Sequence, residues 1–292
     1  MTALASGPWE THGGYLLSHS VGLPPRGPVE DAVGRYLAAW EDDGGEAWPT
    51  WLATIDGFRG ALAGLLSTEP ETICPQTNVS SGVTKILQAI RDPARAARTP
   101  TIVLSELAFP SVGYVCRQAG YSVRYVPMDE PATDPDVWRE HLGDDVDAVL
   151  VTHVHSNTGE LIPVGPIVDL ARSRGIRSIV DVAQSVGVVP IDVESWGADF
   201  VVGSCVKWLC GGPGAGWLHV RSDVIADCAP TDVGWFSHED PFEFDIHRFR
   251  YAADALRFWG GTPSVLPFAV AAASIEVIER IGVDAIRAHN LH

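Results

Sequence analysis

Short runs of β-branched residues recur along the middle of the chain and constrain its fold more than any other feature. From about residue 75 onward they alternate with amphipathic segments, and each run is almost continuously apolar. A strand covered by helices on both faces has this pattern, whereas a strand with one wet face alternates apolar and polar residues. The pattern predicts an α/β fold with a mainly parallel sheet flanked by helices. The predicted strands are residues 101–105, 121–127, 147–154, 177–183, 199–204 and 215–220.

The two ends of the chain differ from its middle. The N-terminal part contains an extended lead-in and then two helical patterns, at residues 15–25, 29–40 and 51–66. Near the other end, residues 265–288 predict one long helix that is broken near Gly282. We therefore expect an N-terminal extended and helical segment, a large α/β domain, and the start of a further small domain, at residues 1–70, 71–264 and 265–292.

Composition argues against several classes of function. The 292 residues carry 20 Lys and Arg against 37 Asp and Glu, so the net charge of −17 would repel a nucleic acid. No apolar run reaches the ~18 residues of a membrane-spanning helix. The N-terminus lacks the basic start and apolar run of a secretory signal. Five cysteines without a CxxC pair favour a reduced, cytoplasmic setting over a disulfide framework.

Lysine is almost absent from this chain. Of the 20 basic residues, 18 are arginine, and the two lysines are Lys85 and Lys207. Because arginine supplies the surface cations, a lysine here is expected where only an amine will serve. Apolar side chains surround Lys207 in the sequence, namely Val201, Val202, Val206, Trp208 and Leu209. Desolvation disfavours the ammonium form, so these neighbours favour a nucleophilic amine that can form a Schiff base.

An acid and this lysine follow two predicted strands. Asp181 lies near the end of the strand at 177–183, and Lys207 lies just past the strand at 199–204. Ligands of an open α/β sheet collect beyond the carboxyl ends of its strands, so both side chains are expected in one crevice. Pyridoxal phosphate requires a Schiff-base lysine and an aspartate that keeps its pyridine nitrogen protonated. The sequence therefore predicts a pyridoxal-phosphate enzyme with Lys207 and Asp181 as catalytic residues.

Five sequence motifs resemble one family of such enzymes. They are AFPS (108–111), THVHSNTG (152–159), DVAQSVG (181–187), GSCVKWLCGGPGAG (203–216) and GWFSHED (234–240). The chain is identified by them as a member of the fold-type I, class V aminotransferase superfamily, and within it of the kynureninase-like branch. The resemblance covers about residues 75–265 in the family's order. It implies the large α/β domain of fold-type I enzymes, with the C-terminal small domain largely absent.

The resemblance also implies roles for individual residues. Lys207 would hold the cofactor as a Schiff base and then serve as acid and base at the substrate Cα. Asp181 would pair with the pyridinium nitrogen, Gln184 would lie near the phenolic oxygen or the ring, and Phe109 would stack on the ring face. In related enzymes the cofactor or its phosphate is also contacted at the positions of Thr152, Ser204, Trp235 and Thr262. The last two positions would act across a dimer interface, so the resemblance implies a homodimer with shared sites.

The cofactor phosphate is expected at the segment NVSSGVT, residues 78–84. Ser81 and Gly82 precede a predicted helix at 83–90, and free N–H groups at a helix N-terminus favour a dianion. The same residues also fit an ordinary helix cap. Lys85, inside this helix, is interpreted as a surface or phosphate-proximal charge.

Two departures from the family pattern bear on the reaction. Kynureninases place a Tyr directly before the lysine, and Val206 in that position can neither donate a proton nor bind phosphate. Kynurenine is therefore expected to be a poor substrate. Family members continue for another ~100 residues, in a small domain that supplies an arginine for the substrate carboxylate. The chain ending at His292 is thus expected to be a fragment, or to take that wall from elsewhere.

Three functions fit these residues. The first is a lyase or hydrolase that cleaves the side chain of an amino acid, and the second is transamination, desulfuration or epimerisation. The third is a truncated homologue that binds cofactor or partner without turnover. A dinucleotide fold is disfavoured because the glycines at 212–216 precede a strand instead of following one. No metal site is predicted, because His153 and His155 lack a nearby Cys or matching carboxylate; His155 is an alternative contact for the phenolic oxygen.

Overall fold

Helices and strands alternate through the middle of the chain. The structure is a computed structural model that describes residue 9, residues 14–91 and residues 98–292. The helices there are α1 (Arg26–Asp43), α2 (Trp48–Leu66), α3 (Val79–Ala89), α4 (Pro110–Gln118), α5 (Pro135–His141), α6 (Val164–Ser173), α7 (Val193–Trp196), α8 (Leu266–Ile281) and α9 (Val283–Asn290). The strands are β1 (Ile73–Gln76), β2 (Thr101–Ser105), β3 (Ser122–Val126), β4 (Ala148–Thr152), β5 (Arg177–Asp181), β6 (Phe200–Ser204) and β7 (Gly216–Val220).

All seven strands form one sheet in the order β1-β7-β6-β5-β4-β2-β3. Neighbouring strands are parallel except at β7, which runs antiparallel to both β1 and β6. Every residue of β4 and of β7 is buried, as expected for strands covered on both faces. The prediction of a mainly parallel α/β sheet flanked by helices is confirmed.

The six predicted strands are present, but the sequence prediction missed β1. This strand is four residues long and contains Pro75, which lowers its strand propensity. It is the edge strand beside β7, where a residue without an N–H is tolerated. The sequence pattern could not reveal it, because its partner β7 lies far along the chain.

Two clusters of buried apolar side chains cover the two faces of the sheet. On one face, Phe58 of α2 and Phe268 of α8 have ring centroids 4.9 Å apart. On the other face, Val83 of α3 and Val112 of α4 pack on the sheet. The helix predicted at the C-terminal end is present as α8 and α9, which are separated at Gly282. Because α2 and α8 share a core with the sheet, the division at residues 70 and 264 stays a prediction.

Candidate active site

The carboxyl ends of three adjacent parallel strands bring predicted site residues to one edge of the sheet. Thr152 ends β4 and is the register partner of Asp181, which ends β5. Ser204 ends β6, and Lys207 follows it in the connection to β7. The structure thus places Thr152, Asp181, Ser204 and Lys207 at the edge where open α/β sheets bind their ligands.

The carboxylate of Asp181 is buried, with 5% of the residue exposed. Its Oδ1 accepts the N–H of Ala183 at 2.9 Å. Burial raises the pKa of this carboxyl, and the Ala183 N–H and the charge of Lys207 oppose that shift. A cationic N–H group placed against Asp181 would favour the ionised form, because an opposite charge offsets the cost of desolvation.

The amine of Lys207 lies beside an aromatic ring. Its Nζ is 5.6 Å from the centroid of Phe109, the N-cap residue of α4, and that ring is half exposed. Burial lowers the pKa of Lys207, and the negative charge of Asp181 partly offsets this. At neutral pH a larger fraction of this lysine is therefore unprotonated than of an exposed one, which makes it the better nucleophile.

The hydroxyl of Thr152 is buried and has no hydrogen-bond partner among the residues that the structure describes. A buried polar atom without a partner costs about 1–3 kcal/mol. Native proteins retain few such atoms, and one beside a buried carboxylate at the ligand-binding edge indicates an external partner. The structure therefore offers an acceptor and donor at Thr152 that a polar ligand would satisfy.

The side-chain amide of Gln184 is fixed from two sides. Its Nε2 donates to the carbonyl of His19 at 3.1 Å, and its Oε1 accepts the indole N–H of Trp208 at 3.0 Å. Trp208 directly follows Lys207 in the connection between β6 and β7, called here the lysine connection. Gln184 therefore links this connection to the N-terminal lead-in at residues 15–25. The second N–H of this amide has no partner among the residues that the structure describes.

The sequence prediction missed the contribution of the lead-in to this site. The N–H of Gly22 donates to the carbonyl of Val206 at 2.8 Å. A Cβ at Gly22 would lie 2.0 Å from the carbonyl oxygen of Lys207 and 2.7 Å from Sγ of Cys210. Only glycine permits this approach of two backbones. The glycine before Leu-Pro-Pro was the available signal, but its partner could not be read from the sequence.

Replacing Gly22 by alanine is expected to push the lead-in away from the lysine connection. The added methyl group meets backbone, so overpacking should lower the free energy of unfolding by about 1–3 kcal/mol and expose the lead-in to protease. Gly27→Ala is the control, since a Cβ there meets nothing within 4 Å. Thermal unfolding and limited proteolysis measure both effects. Equal behaviour of the two variants would contradict the contact.

Helix α3 begins earlier than predicted. Asn78 is its N-cap, and its side chain accepts the N–H of Ser81 at 2.9 Å in a capping box. Ser81 and Gly82 therefore lie in the first turn, and the prediction that they precede the helix was wrong, because the Asn78 cap starts the helix. Both of their N–H groups bond to Asn78. Within the described part of the chain, the N–H groups of Val79 and Ser80 have no recorded partner.

The start of α3 lies at the same sheet edge as the lysine. A Cβ at Gly216 would lie 2.6 Å from Cα of Asn78. Gly216 is in turn the register partner of Ser204 at the end of β6. The phosphate candidates on α3 and on β6 are therefore neighbours, although the sequence predicted them independently.

Trp235 and Thr262 lie on the side of the molecule next to α3. The indole N–H of Trp235 donates to Oγ1 of Thr262 at 3.3 Å. Thr262 and Ser81 line one cleft of about 190 Å³. Lys85 lines the same cleft and is 6% exposed. Of the two interpretations of Lys85, the surface charge is therefore wrong.

The histidine pair has separate environments. Nδ1 of His153 is 2.9 Å from the hydroxyl of Ser185. Neither ring nitrogen of buried His155 has a partner at hydrogen-bond distance within the described ranges, and its Nδ1 lies 3.7 Å from Oε2 of Glu160. Burial lowers the pKa of His153 to about 4, so this ring is neutral at physiological pH.

Among the described residues, no three His, Cys, Asp or Glu side chains group as metal ligands. No helix in this part of the chain is both long and apolar enough to cross a bilayer.

This fold, with a lysine after β6 and a buried aspartate at the end of β5, defines a class of protein: the fold-type I pyridoxal-phosphate enzymes. The profile of the family "Aminotransferase class-V" matches residues 58–292. The chain belongs to this family of pyridoxal-phosphate-dependent enzymes. The predicted superfamily and cofactor are confirmed.

Two curated proteins illustrate the relationship. The chain is 31% identical over 291 residues to the kynureninase of Deinococcus radiodurans, a match that covers 95% of this chain and 68% of that protein. It is 28% identical over 263 residues to the uncharacterized aminotransferase YcbU of Bacillus subtilis, with 90% and 68% covered.

Solved structures have the same fold. The cystine C-S lyase C-DES, in complex with its product cysteine persulfide, superposes with a TM-score of 0.82 at 23% identity, over 96% of this chain and 74% of that one. An apo cysteine desulfurase from Thermococcus onnurineus gives 0.78 at 22% identity, over 94% and 70%. At such identities these similarities establish the fold and not the reaction.

Proposed function

We propose that this protein is a pyridoxal-phosphate-dependent lyase or hydrolase that cleaves the side chain of an amino acid at Cβ or Cγ, with the scaffold of a kynureninase. The observation that carries the proposal is the pairing of the half-buried Lys207 amine with the buried Asp181 carboxylate at one sheet edge. The 31% identity to a kynureninase over nearly the whole chain supports side-chain cleavage.

The residues present fit the cofactor. Asp181 offers a buried carboxylate to a pyridinium N–H, Phe109 offers a ring face, and the Thr152 hydroxyl needs a partner. The first turn of α3, with Ser81 and Gly82, and Ser204 at the end of β6 would hold the phosphate. When bound, pyridoxal phosphate provides an electron sink for the charge that develops at the substrate Cα.

Each residue contributes a physical step. Lys207 would hold the cofactor through its amine and would take the proton from the substrate Cα. Asp181 would keep the pyridine nitrogen protonated by its charge. Gln184 presents its free amide N–H, held in place by Trp208 and His19. The lead-in around Gly22 packs against one side of the lysine connection.

A homodimer in the cytoplasm is part of the proposal. Trp235 would contact the cofactor of a second copy, together with Thr262. In support, Phe244 stacks on Trp235 with ring centroids 5.8 Å apart, and the adjoining Ile246 is 93% exposed. An exposed apolar surface of this kind favours an interface. The five cysteines carry free thiols, which agrees with a reduced compartment.

Replacing Thr152 by valine tests the fit of the cofactor. Valine has the same shape without the unpartnered hydroxyl, so the apo protein should become more stable, by up to about 1–3 kcal/mol. Cofactor binding should weaken, because the cofactor loses the Thr152 hydroxyl as a hydrogen-bond partner. Chemical denaturation of the apo protein and titration with pyridoxal phosphate measure the two effects. The control is Thr54→Val, which removes an exposed hydroxyl on α2. A variant that is less stable without cofactor would contradict the assignment.

The reaction is tested by incubating the holoprotein with amino acids that carry a leaving group on Cβ or Cγ and identifying the products. Release of the side-chain fragment supports a lyase or hydrolase. A 2-oxo acid formed without fragment release would indicate an aminotransferase, and loss of chirality alone an epimerase. A colourless protein that does not bind the cofactor would overturn the proposal. Kynurenine should release anthranilate slowly, because Val206 replaces the tyrosine of kynureninases.

A further inference from the structure

Lys85, the second of the two lysines, is enclosed by backbone carbonyls. Its Nζ donates to the carbonyl of Phe258 at 2.9 Å and to that of Trp259 at 2.6 Å. The third direction of the ammonium faces Oδ2 of Asp232 at 3.4 Å. All three N–H donors of the lysine are thus directed at oxygen atoms.

These bonds fasten the segment of residues 258–262 to the body of the protein. Gln76 of β1 donates its Nε2 to the same Phe258 carbonyl at 3.0 Å. The N–H of Gly260 donates to Oγ of Ser237 at 2.9 Å, and its carbonyl accepts the N–H of Phe236 at 3.1 Å. Lys85 supplies the only charged side chain among these contacts to the 258–262 segment within the described residues.

The fastened segment carries Thr262, the hydrogen-bond partner of Trp235. Lys85 is four residues after Ser81 on α3, so the two side chains lie on one face of that helix. Ser81, Lys85 and Thr262 all line the same cleft. One ammonium group therefore connects the helix expected to hold the phosphate with the segment that presents Thr262.

The size of the group explains why a chain rich in arginine has a lysine here. A Cβ at Gly260 would lie 3.3 Å from Nζ of Lys85, so the backbone closes tightly around the ammonium. The planar guanidinium of an arginine is larger and would not fit between these carbonyls without moving them.

We propose that Lys85 is a positioning residue for the cofactor phosphate. Its ammonium adds positive charge one turn from Ser81, where the phosphate of its own subunit is proposed to bind. It also holds the 258–262 segment against α3, which fixes Thr262 and Trp235 for contact with the cofactor phosphate of the second copy in the proposed dimer. The proposal rests on the proposed function, because it assumes that the phosphate binds at the start of α3. Lys85 acts through Thr262 and Trp235 and does not touch the reacting atoms.

The test compares pyridoxal phosphate with pyridoxal, which lacks the phosphate, in the full-length apo protein. In Lys85→Met the dissociation constant for pyridoxal phosphate should rise by roughly tenfold or more, as expected when a charged hydrogen-bonded group is lost. The dissociation constant for pyridoxal should stay within about twofold. Amide hydrogen exchange at residues 258–262 should become faster in the apo variant. Arg139→Met is the control, because it removes an exposed charge on α5.

The outcomes separate the two proposals. A wild-type protein that develops no visible absorbance with either compound would refute the proposed function. If the wild type binds and Lys85→Met weakens both compounds equally, or neither, Lys85 has no role toward the phosphate. Should Lys85→Met fail to fold, Thr262→Ala decides, since Thr262 is exposed. Selective weakening of pyridoxal phosphate supports the proposal, and its absence overturns it.

Discussion

The Lys207→Ala protein is expected to bind pyridoxal phosphate without covalent attachment and to lose turnover by at least about 10³-fold. In the proposed mechanism the substitution removes both the nucleophile that holds the cofactor and the base that takes the Cα proton, and a positioned base alone contributes about 10²–10⁴-fold. The band of the lysine-bound cofactor in the visible spectrum should be absent. Substrate assays by product release measure the loss of turnover.

The rarity of lysine makes this prediction sharp. Borohydride fixes the cofactor on the lysine that carries it, and only Lys85 and Lys207 can be the modified lysine. Peptide mapping of the cofactor-saturated wild type should find the adduct on Lys207. Lys207→Arg is the matched control, because it keeps a positive charge and removes the nucleophilic amine. An adduct on Lys85, or none on either lysine, would refute the assignment.

The second large effect is expected from Asp181→Asn. An amide cannot balance the charge of a pyridinium nitrogen, and loss of one preorganised electrostatic group costs about 10²–10³-fold in rate. Turnover should fall by that factor while covalent attachment at Lys207 persists. Covalent attachment should also occur at lower pH in the variant, since the charge of Asp181 raises the pKa of Lys207. Asp136→Asn, at an exposed position on α5, is the control.

Asp181→Asn should make the apo protein more stable, although it lowers the turnover of the holoenzyme. Burial raises the pKa of Asp181 above its ordinary value of 3.8. Between the ordinary and the raised pKa the folded state binds more protons than the unfolded state, so wild-type stability falls as the pH rises through that window. The amide introduced by Asp181→Asn does not titrate, so the apo variant should be more stable than the wild type at neutral pH. Thermal unfolding from pH 4 to pH 8 measures this, and a less stable apo variant would contradict it.

The central sheet, and the position of Asp181 and Lys207 at one edge of it, were predictable because their signals are local. Strands such as β4 are apolar on both faces, and Lys207 stands out in a chain that otherwise uses arginine. What the sequence could not reveal depends on distant contacts. Gln184 is bonded to His19, 165 residues away. The carbonyls that enclose Lys85 are more than 170 residues from it, so its burial has no signature in its own helix.

The start of α3 was mispredicted for a different reason. The Ser-Ser-Gly sequence was interpreted as preceding the helix, whereas the preceding Asn78 caps the helix and brings these residues into it. The missing partner of the Thr152 hydroxyl is a property of the packed sheet. A threonine at the end of a strand has no sequence feature that distinguishes a satisfied hydroxyl from an unsatisfied one.

The reversed strand β7 has a consequence for how the protein assembles. β6 and β7 are joined by a short connection and can pair early, because the loop to be closed is small. β1 joins β7 only after a chain segment of about 140 residues has been gathered, and such non-local contacts form slowly. Since β1 and the following helix bound the side of the crevice where the phosphate is proposed to bind, the ability to bind pyridoxal phosphate should emerge last during refolding. A refolding chain would then have the Lys207 amine in place before the pocket proposed for the cofactor has formed.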